Sequence, residues 1–466
     1  MKLKRREFLS RLASGVGPLA VASSYQERLA HAGPAYLRHF GSARKIIWIV
    51  LNGGLSQVDS FDPKPALRRF AGQALPASLQ LPTGRKTGFL LPSPFSFSRS
   101  PRCGTEFSEI FPNIGNVLDE FCVIRSMTSP YFQHEAALPW LCKGSLNLGA
   151  PSVGAKLLHG LESLNKDLPG YMVLSPNGLP LVGPALWSSG RLPNHTQGQL
   201  VSLPSGAPNA VPFADLIPSS SSTSSTLEFT QRLDRSRWRA RGQSKEDPIL
   251  DHITNLETAF RMQSAAPEAF DLQMESAEVR QKYGESTFAK SCLLARRLSE
   301  RDVRCVQLFF SGGNPWDHHD DAGLHRLHAR TADQPIAALV RDLRNRGLLA
   351  ETLLLVTTEF GRTPMVEIGE GGKGGLRIAA GRSHNPHGFS TLVAGAGIRQ
   401  GTVYGATDDF GFQAVESRCS VADLLATVFH LAGLNCDEEL MGAGTGASGY
   451  QVGNVESPSV IEGVLA

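Results

Sequence analysis

The sequence predicts an α/β fold with a mostly parallel central sheet and helices on both faces, and three observations predict it. Short continuous runs of β-branched and aliphatic residues recur along the chain, each with the pattern of a strand buried on both sides. Longer segments with apolar residues at helical spacing alternate with them, as the crossover connections of a parallel sheet require. Polar residues capable of chemistry gather just after or before these runs, where the loops of such a sheet converge. A length of 466 residues accommodates one large sheet with insertions.

Taken in order, the first run is residues 45–51 (KIIWIVL), closed by Asn52-Gly53-Gly54. A second run at 122–126 leads through polar residues to a helix predicted over 134–143. Residues 205–245 are rich in Ser, Pro and Arg and lack apolar periodicity, so they read as an exposed insertion. Helical spacing returns over about 248–263 and 275–301, and the second stretch runs into a strand at 303–310. A helix over 333–346 finds its C-terminal cap in Gly347. Strands follow at 352–358 and 389–394, and a last helix spans about 421–431. No internal repeat is visible. The organisation expected is a signal at 1–32, one α/β domain at 43–440 and a C-terminal tail at 441–466.

Hydrophobic residues at 41% and charged residues at 19% describe a soluble globular protein rather than a disordered or membrane-embedded one. The formal charge is +3, but residues 1–32 carry a net +4, which leaves the remainder at −1. A body without a basic field is a poor nucleic-acid binder. Lys4-Arg5-Arg6-Glu7-Phe8-Leu9, a mildly apolar stretch to Ala22 and the small-residue site Ala30-His31-Ala32 resemble a twin-arginine export signal. The apolar stretch is too short to span a bilayer, and stable membrane insertion is not expected. The expected destination is the periplasm or the exterior, with the twin-arginine translocase as a transient partner. Seven cysteines are scattered without a C-x-x-C pair, so no zinc ribbon or redox motif is present.

Four distant segments bring carboxylates and imidazoles to the same rim. They are Ser56, Asp59 and Asp62 after the first strand; Asp317, His318, His319, Asp320 and Asp321 after the strand at 303–310; Glu359 and Arg362 after the strand at 352–358; and Arg382, His384 and His387 before the strand at 389–394. Imidazoles together with carboxylates suit zinc, manganese or a similar divalent ion, and clustered acids repel unless a cation lies between them. Each residue also has a plainer role open to it. Glu359 serves equally as a helix cap or a partner of Arg362, Asp62-Pro63 as a turn, and His384 and His387 as loop hydrogen-bonders. Arg362 and Arg382 carry guanidinium forks that match a sulfate or phosphate, or equally a neighbouring acid. His325, His328 and His430 fall in helical stretches and read as packing or surface residues.

The motifs GGxSxxDxFDPK, W-D-x-H at 316–319, E-F-G-R-T-P at 359–364 and G-R-x-H at 381–384 together resemble the exported, sulfatase-like family of unknown function DUF1501, within the alkaline phosphatase superfamily. The resemblance runs from about residue 43 to 435. It implies an alkaline phosphatase-like fold and a divalent metal, zinc, manganese or calcium. It also implies a ligand set drawn from Asp59 or Asp62, then Asp317 with His319, then Glu359, then His384. Glu-Phe-Gly stands where enzymes of the superfamily show Asp-His-Gly. The C/S-x-P-x-R motif of the sulfatases is missing, and residues 128–134 read Thr-Ser-Pro-Tyr-Phe-Gln-His in its place. The attacking group expected is therefore an activated water, or else Thr128 or Ser129, with His134 as ligand or general base and Arg362 or Arg382 on the anion. The function implied is hydrolysis of a sulfate or phosphate ester of a small molecule or glycan. The alternatives are a non-catalytic metal-containing protein that binds sulfated or phosphorylated glycans, or an envelope scaffold.

Overall fold

Side chains alternate across the first strand, and that alternation organises the molecule. In β1 (Lys45–Val50), Ile46, Trp48 and Val50 point into one hydrophobic core, whereas Ile47 and Ile49 point into another on the opposite face. Every residue of the strand is buried, and each aliphatic side chain removed from water contributes about 1.5–3 kcal/mol. The Trp48 indole donates to Thr357 Oγ1 at 2.8 Å, so its one polar atom is satisfied inside the sheet.

The computed structural model describes residues 41–201, 232–240, 253, 257, 261–262, 265–371, 375–435 and 457–466. The segment expected as an export signal, most of the expected Ser/Pro-rich insertion, most of the helix expected over 248–263, and Cys436 lie outside the described residues. The main sheet continues with β2 (Phe121–Thr128), β3 (Tyr171–Leu174), β4 (Gln199–Val201), β5 (Cys305–Phe309), β6 (Thr352–Thr357), β7 (Phe389–Ala394) and β8 (Thr402–Tyr404). Their order across the sheet is β8-β2-β7-β6-β1-β5-β3-β4, with the short Cys419–Ser420 strand also paired to β2. All pairings are parallel except those of β7, which runs antiparallel to both of its neighbours. The expected mixed α/β fold with a mostly parallel sheet is present.

Helices α1 (His134–Lys143), α2 (Val153–Leu161) and α6 (Val421–Leu431) cover the Trp48 face, and α4 (Thr287–Glu300) and α5 (His325–Asn345) cover the Ile47 face. The short α3 (Ala277–Tyr283) precedes α4, because the helix expected over 275–301 is broken at Gly284, where φ is +100°. Ser286 then caps α4 through the amide of Ala289. Helix α5 begins eight residues before the 333–346 segment and continues through Pro335.

Two further departures bear on function. Residues 361–371 and 375–385, for which the sequence predicts no element, form two long antiparallel strands, with the short strand Thr87–Leu90 along the other side of the first. Of the segment expected as a C-terminal tail, residues 457–466 are described, and they pack on the domain. Ile461 and Val464 are buried in the Trp48-face core, and the Arg399 amide donates to Val464 O. No helix among the described residues is long and apolar enough to cross a membrane. The six described cysteines are all free thiols.

Candidate metal centre

The chain returns to one point from four directions. Trp316 is fully buried, packed against Phe310 and Phe111 in the core, and it holds the next residue, Asp317, at the edge of the sheet. Gly53, just after β1, allows this approach. Its φ is +115°, and a Cβ there would lie 2.6 Å from the Trp316 nitrogen and 2.8 Å from that of Asp317. Gly381 does the same for the paired strands, since a Cβ there would collide with His319 O. His134 opens α1, Glu359 follows β6, and Arg362 and His384 face each other across the hairpin register.

The Asp317 carboxylate is the hub. Its Oδ1 lies 3.0 Å from His384 Nε2, 2.8 Å from His319 Nε2 and 2.6 Å from Arg362 Nη2, and its Oδ2 lies 3.1 Å from His134 Nε2. His134, Asp317 and His384 each offer a ligand atom within 4.8 Å of the other two. The opposite nitrogen of every ring is anchored. His134 Nδ1 is 2.7 Å from Glu359 Oε1, His319 Nδ1 is 2.5 Å from Glu367 Oε2, and His384 Nδ1 is 2.5 Å from Phe132 O. Carboxylates and carbonyls only accept, so each Nδ1 carries a proton, and each ring, once in its neutral form, turns its Nε2 lone pair toward Asp317.

Such lone pairs would repel the carboxylate unless a proton or a metal cation lies between them. Nε2 of His134 and of His319, though close to Asp317, are buried without a hydrogen bond of acceptable geometry. The spacings of 2.8–3.1 Å are slightly under the edge of about 3.3 Å expected between ligands of a tetrahedral zinc. The donor set therefore fits a divalent ion of borderline character, with the accessible side of Asp317 left open: its side chain is 25% exposed.

Without an ion, a proton takes that place at His134. Burial opposes ionisation of Asp317, but the three imidazoles and Arg362 outweigh it and hold the carboxylate well below the usual range. Burial likewise opposes protonation of His134, but Asp317 and Glu359 at its two nitrogens raise it to about 9. His384, with a single acid beside it, is pushed down by burial to about 4. His319 is raised by Asp317 and Glu367 against its own burial.

The structure separates other sequence candidates from this point. Asp59 does not join the cluster of His134, Asp317 and His384. It is fully buried in the Gln57–Asp59 turn, gripped by Arg382 Nε at 2.8 Å and Nη2 at 3.1 Å, and it accepts from Ser56 Oγ at 2.6 Å. Asp62 turns toward Lys64 at 3.1 Å, Arg125 at 3.7 Å and the Thr407 hydroxyl. Arg382 is consequently engaged by Asp59, Thr363 O and Leu91 O, and is buried. Arg362 is also wholly buried and donates to Gly53 O, Gly54 O, Trp316 O, Arg382 O and Asp317. Both guanidiniums are taken up by internal acceptors and hold loops together, because the segments that converge here leave backbone carbonyls needing donors. Thr128, at the end of β2, donates to Cys419 O at 3.2 Å, and the Ser129 hydroxyl accepts from the Tyr131 amide, so neither is set against a base.

Glu359 contacts the cluster through His134 and also accepts from the Gly53 amide at 2.8 Å. Glu367 was missed by sequence reasoning. It is one acid inside a strand, 48 residues from its histidine, and only the hairpin register brings it to His319. His387 hydrogen-bonds Pro82 O at 2.7 Å, and His325 packs against Trp316 and accepts from the Ser56 amide, as plain structural groups.

Comparison with solved structures returns remote likenesses. The PsFucS1 sulfatase from Pseudoalteromonas sp. covers 89% of this chain and 71% of its own at 14% identity, with a TM-score of 0.33. A protein in the alkaline phosphatase superfamily from Vibrio parahaemolyticus covers 87% and 70% at 10% identity, TM-score 0.37. The lipoteichoic acid synthase LtaP from Listeria monocytogenes covers 87% and 75% at 10% identity, TM-score 0.36. At these values no residue role is transferred. A search of curated proteins finds no significant match. The family model described as "Protein of unknown function (DUF1501)" matches residues 43–465, nearly the whole chain beyond its N-terminal segment, and the protein therefore belongs to the DUF1501 family.

Proposed function

We propose that this chain is a metal-dependent hydrolase acting outside the cytoplasm on a sulfate or phosphate ester. One observation carries the reading: three imidazoles, each tied down at Nδ1, aim Nε2 at a single carboxylate that is partly open to solvent. His134, Asp317 and His384 would hold the ion, with His319 beside them. A nitrogen-rich set favours zinc or manganese over calcium, which takes oxygen ligands. When bound, such an ion supplies Lewis acidity that polarises an ester oxygen or activates water. Glu359 and Glu367 fix the rings and raise their basicity, and Arg362 holds Asp317 in its ionised form. The twin-arginine segment supports export by the translocase.

The test is elemental analysis of protein purified without chelator, followed by assays on aryl sulfates and phosphates. The expected result is at least one divalent metal per chain, lost in Asp317→Ala and His384→Ala, with turnover lost alongside it. Wild-type protein free of metal would overturn the reading.

A second reading, a metal-containing protein that binds sulfated or phosphorylated glycans without cleaving them, is favoured by the engagement of Thr128, Arg362 and Arg382 in internal contacts. Metal-replete protein that binds such glycans yet turns over none of the esters selects it.

A further inference from the structure

An anionic ester needs a cation at the mouth of the centre, and the two arginines of the sequence motifs are both enclosed. Among the described residues, a further guanidinium joined to the cluster is that of Arg85. Its Nη1 lies 2.8 Å from Glu367 Oε1; Glu367 Oε2 lies 2.5 Å from His319 Nδ1; and His319 Nε2 lies 2.8 Å from Asp317 Oδ1. Three short contacts thus run from the hub to a side chain that is 57% exposed.

The segment that carries Arg85 is anchored on both sides of the cluster. On one side Lys86 O accepts from the Ile368 amide at 2.8 Å, and Thr87 pairs with Glu367 in the hairpin sheet. On the other, the Gly84 backbone lies against the Phe132 ring, the residue whose carbonyl holds His384, and Pro82 O accepts from His387. Thr83 Oγ1 donates to Arg85 O at 2.8 Å and stiffens the turn between these anchors. Residues 82–86 therefore bridge the hairpin strand that carries Glu367 and the segment that leads into α1.

We propose that Arg85 is the residue that selects an anionic substrate at this centre. The inference rests on the reading of the site as a metal centre. Glu367 engages one edge of the guanidinium and sets its direction, and the exposed remainder of the fork offers paired N–H donors to a tetrahedral sulfate or phosphate. Glu367 is therefore shared: it orients His319 toward the metal and Arg85 toward the anion.

The experiment uses full-length, metal-replete protein and inorganic phosphate and sulfate as probes, with Arg85→Met and Arg85→Lys variants. Metal content is measured first, then anion affinity by calorimetry, then KM and kcat on a charged aryl ester and on a neutral aryl acetate. The expected result is unchanged metal content and an anion affinity at least tenfold weaker in Arg85→Met. KM should rise for the charged ester alone, with partial recovery in Arg85→Lys. Unchanged anion affinity in Arg85→Met, or a loss equal for charged and neutral esters, overturns the assignment while leaving the metal centre standing. Wild-type protein without metal overturns both.

Discussion

Raising the pH should strengthen divalent metal binding about tenfold per unit across the neutral range. A ligand nitrogen must release its proton before it coordinates. Asp317 is ionised throughout, and His384, pushed down to about 4, is already neutral. His134, raised to about 9 by Asp317 and Glu359 against its burial, still holds its second proton at neutral pH. Between pH 6.5 and 8.5 the affinity should therefore rise about 100-fold, or about 2.7 kcal/mol, and level off beyond pH 9. A slope of one in log affinity against pH identifies His134 as the single proton donor. A slope approaching two adds His319, whose pKa is also raised. The sign for metal-free protein is opposite: the raised His134 pKa contributes stability that is full below about pH 6.5 and disappears as the pH climbs through about 9. Competition against a chromophoric chelator gives the slope, and thermal melts of metal-free and metal-loaded protein give the divergence. A flat affinity between pH 6.5 and 8.5 would refute the assignment of His134 Nε2 as a ligand.

Three other outcomes are expected. Glu359→Gln and Glu367→Gln, which loosen the anchors of His134 and His319, should each weaken metal affinity about 10–100-fold without unfolding the protein, as read by calorimetry and circular dichroism. Gly53→Ala should destabilise by about 1–3 kcal/mol and release the metal, because its Cβ would strike the backbone that positions Asp317; urea denaturation with metal analysis checks both. Asp59→Ala should cost about 3–5 kcal/mol by leaving Arg382 buried and unpaired, while the folded fraction keeps its full complement of metal; loss of metal without loss of stability would restore Asp59 as a ligand.

Much of this protein follows from residue pattern alone. A run such as KIIWIV has β-branched side chains on both faces, which only a strand covered on two sides can bury, so β1, β6 and β7 were legible, as was α1 from its helical spacing. Asp317, His319, Glu359 and His384 stood out because ionisable groups crowded beside buried strands have few structural uses. Tertiary structure decided which of those groups meet. Asp59 and Arg382 are separated by 323 residues, and Glu367 and His319 by 48, and nothing local marks either pair. The paired strands 361–371 and 375–385, which the sequence did not predict, turn Arg382 to Asp59 and His384 to Asp317. Burial is likewise a property of the assembled layers, and it is burial that sets Arg362 against the carbonyls of neighbouring loops. Residue type and spacing decide what chemistry is available, whereas long-range pairing decides which atoms share a site.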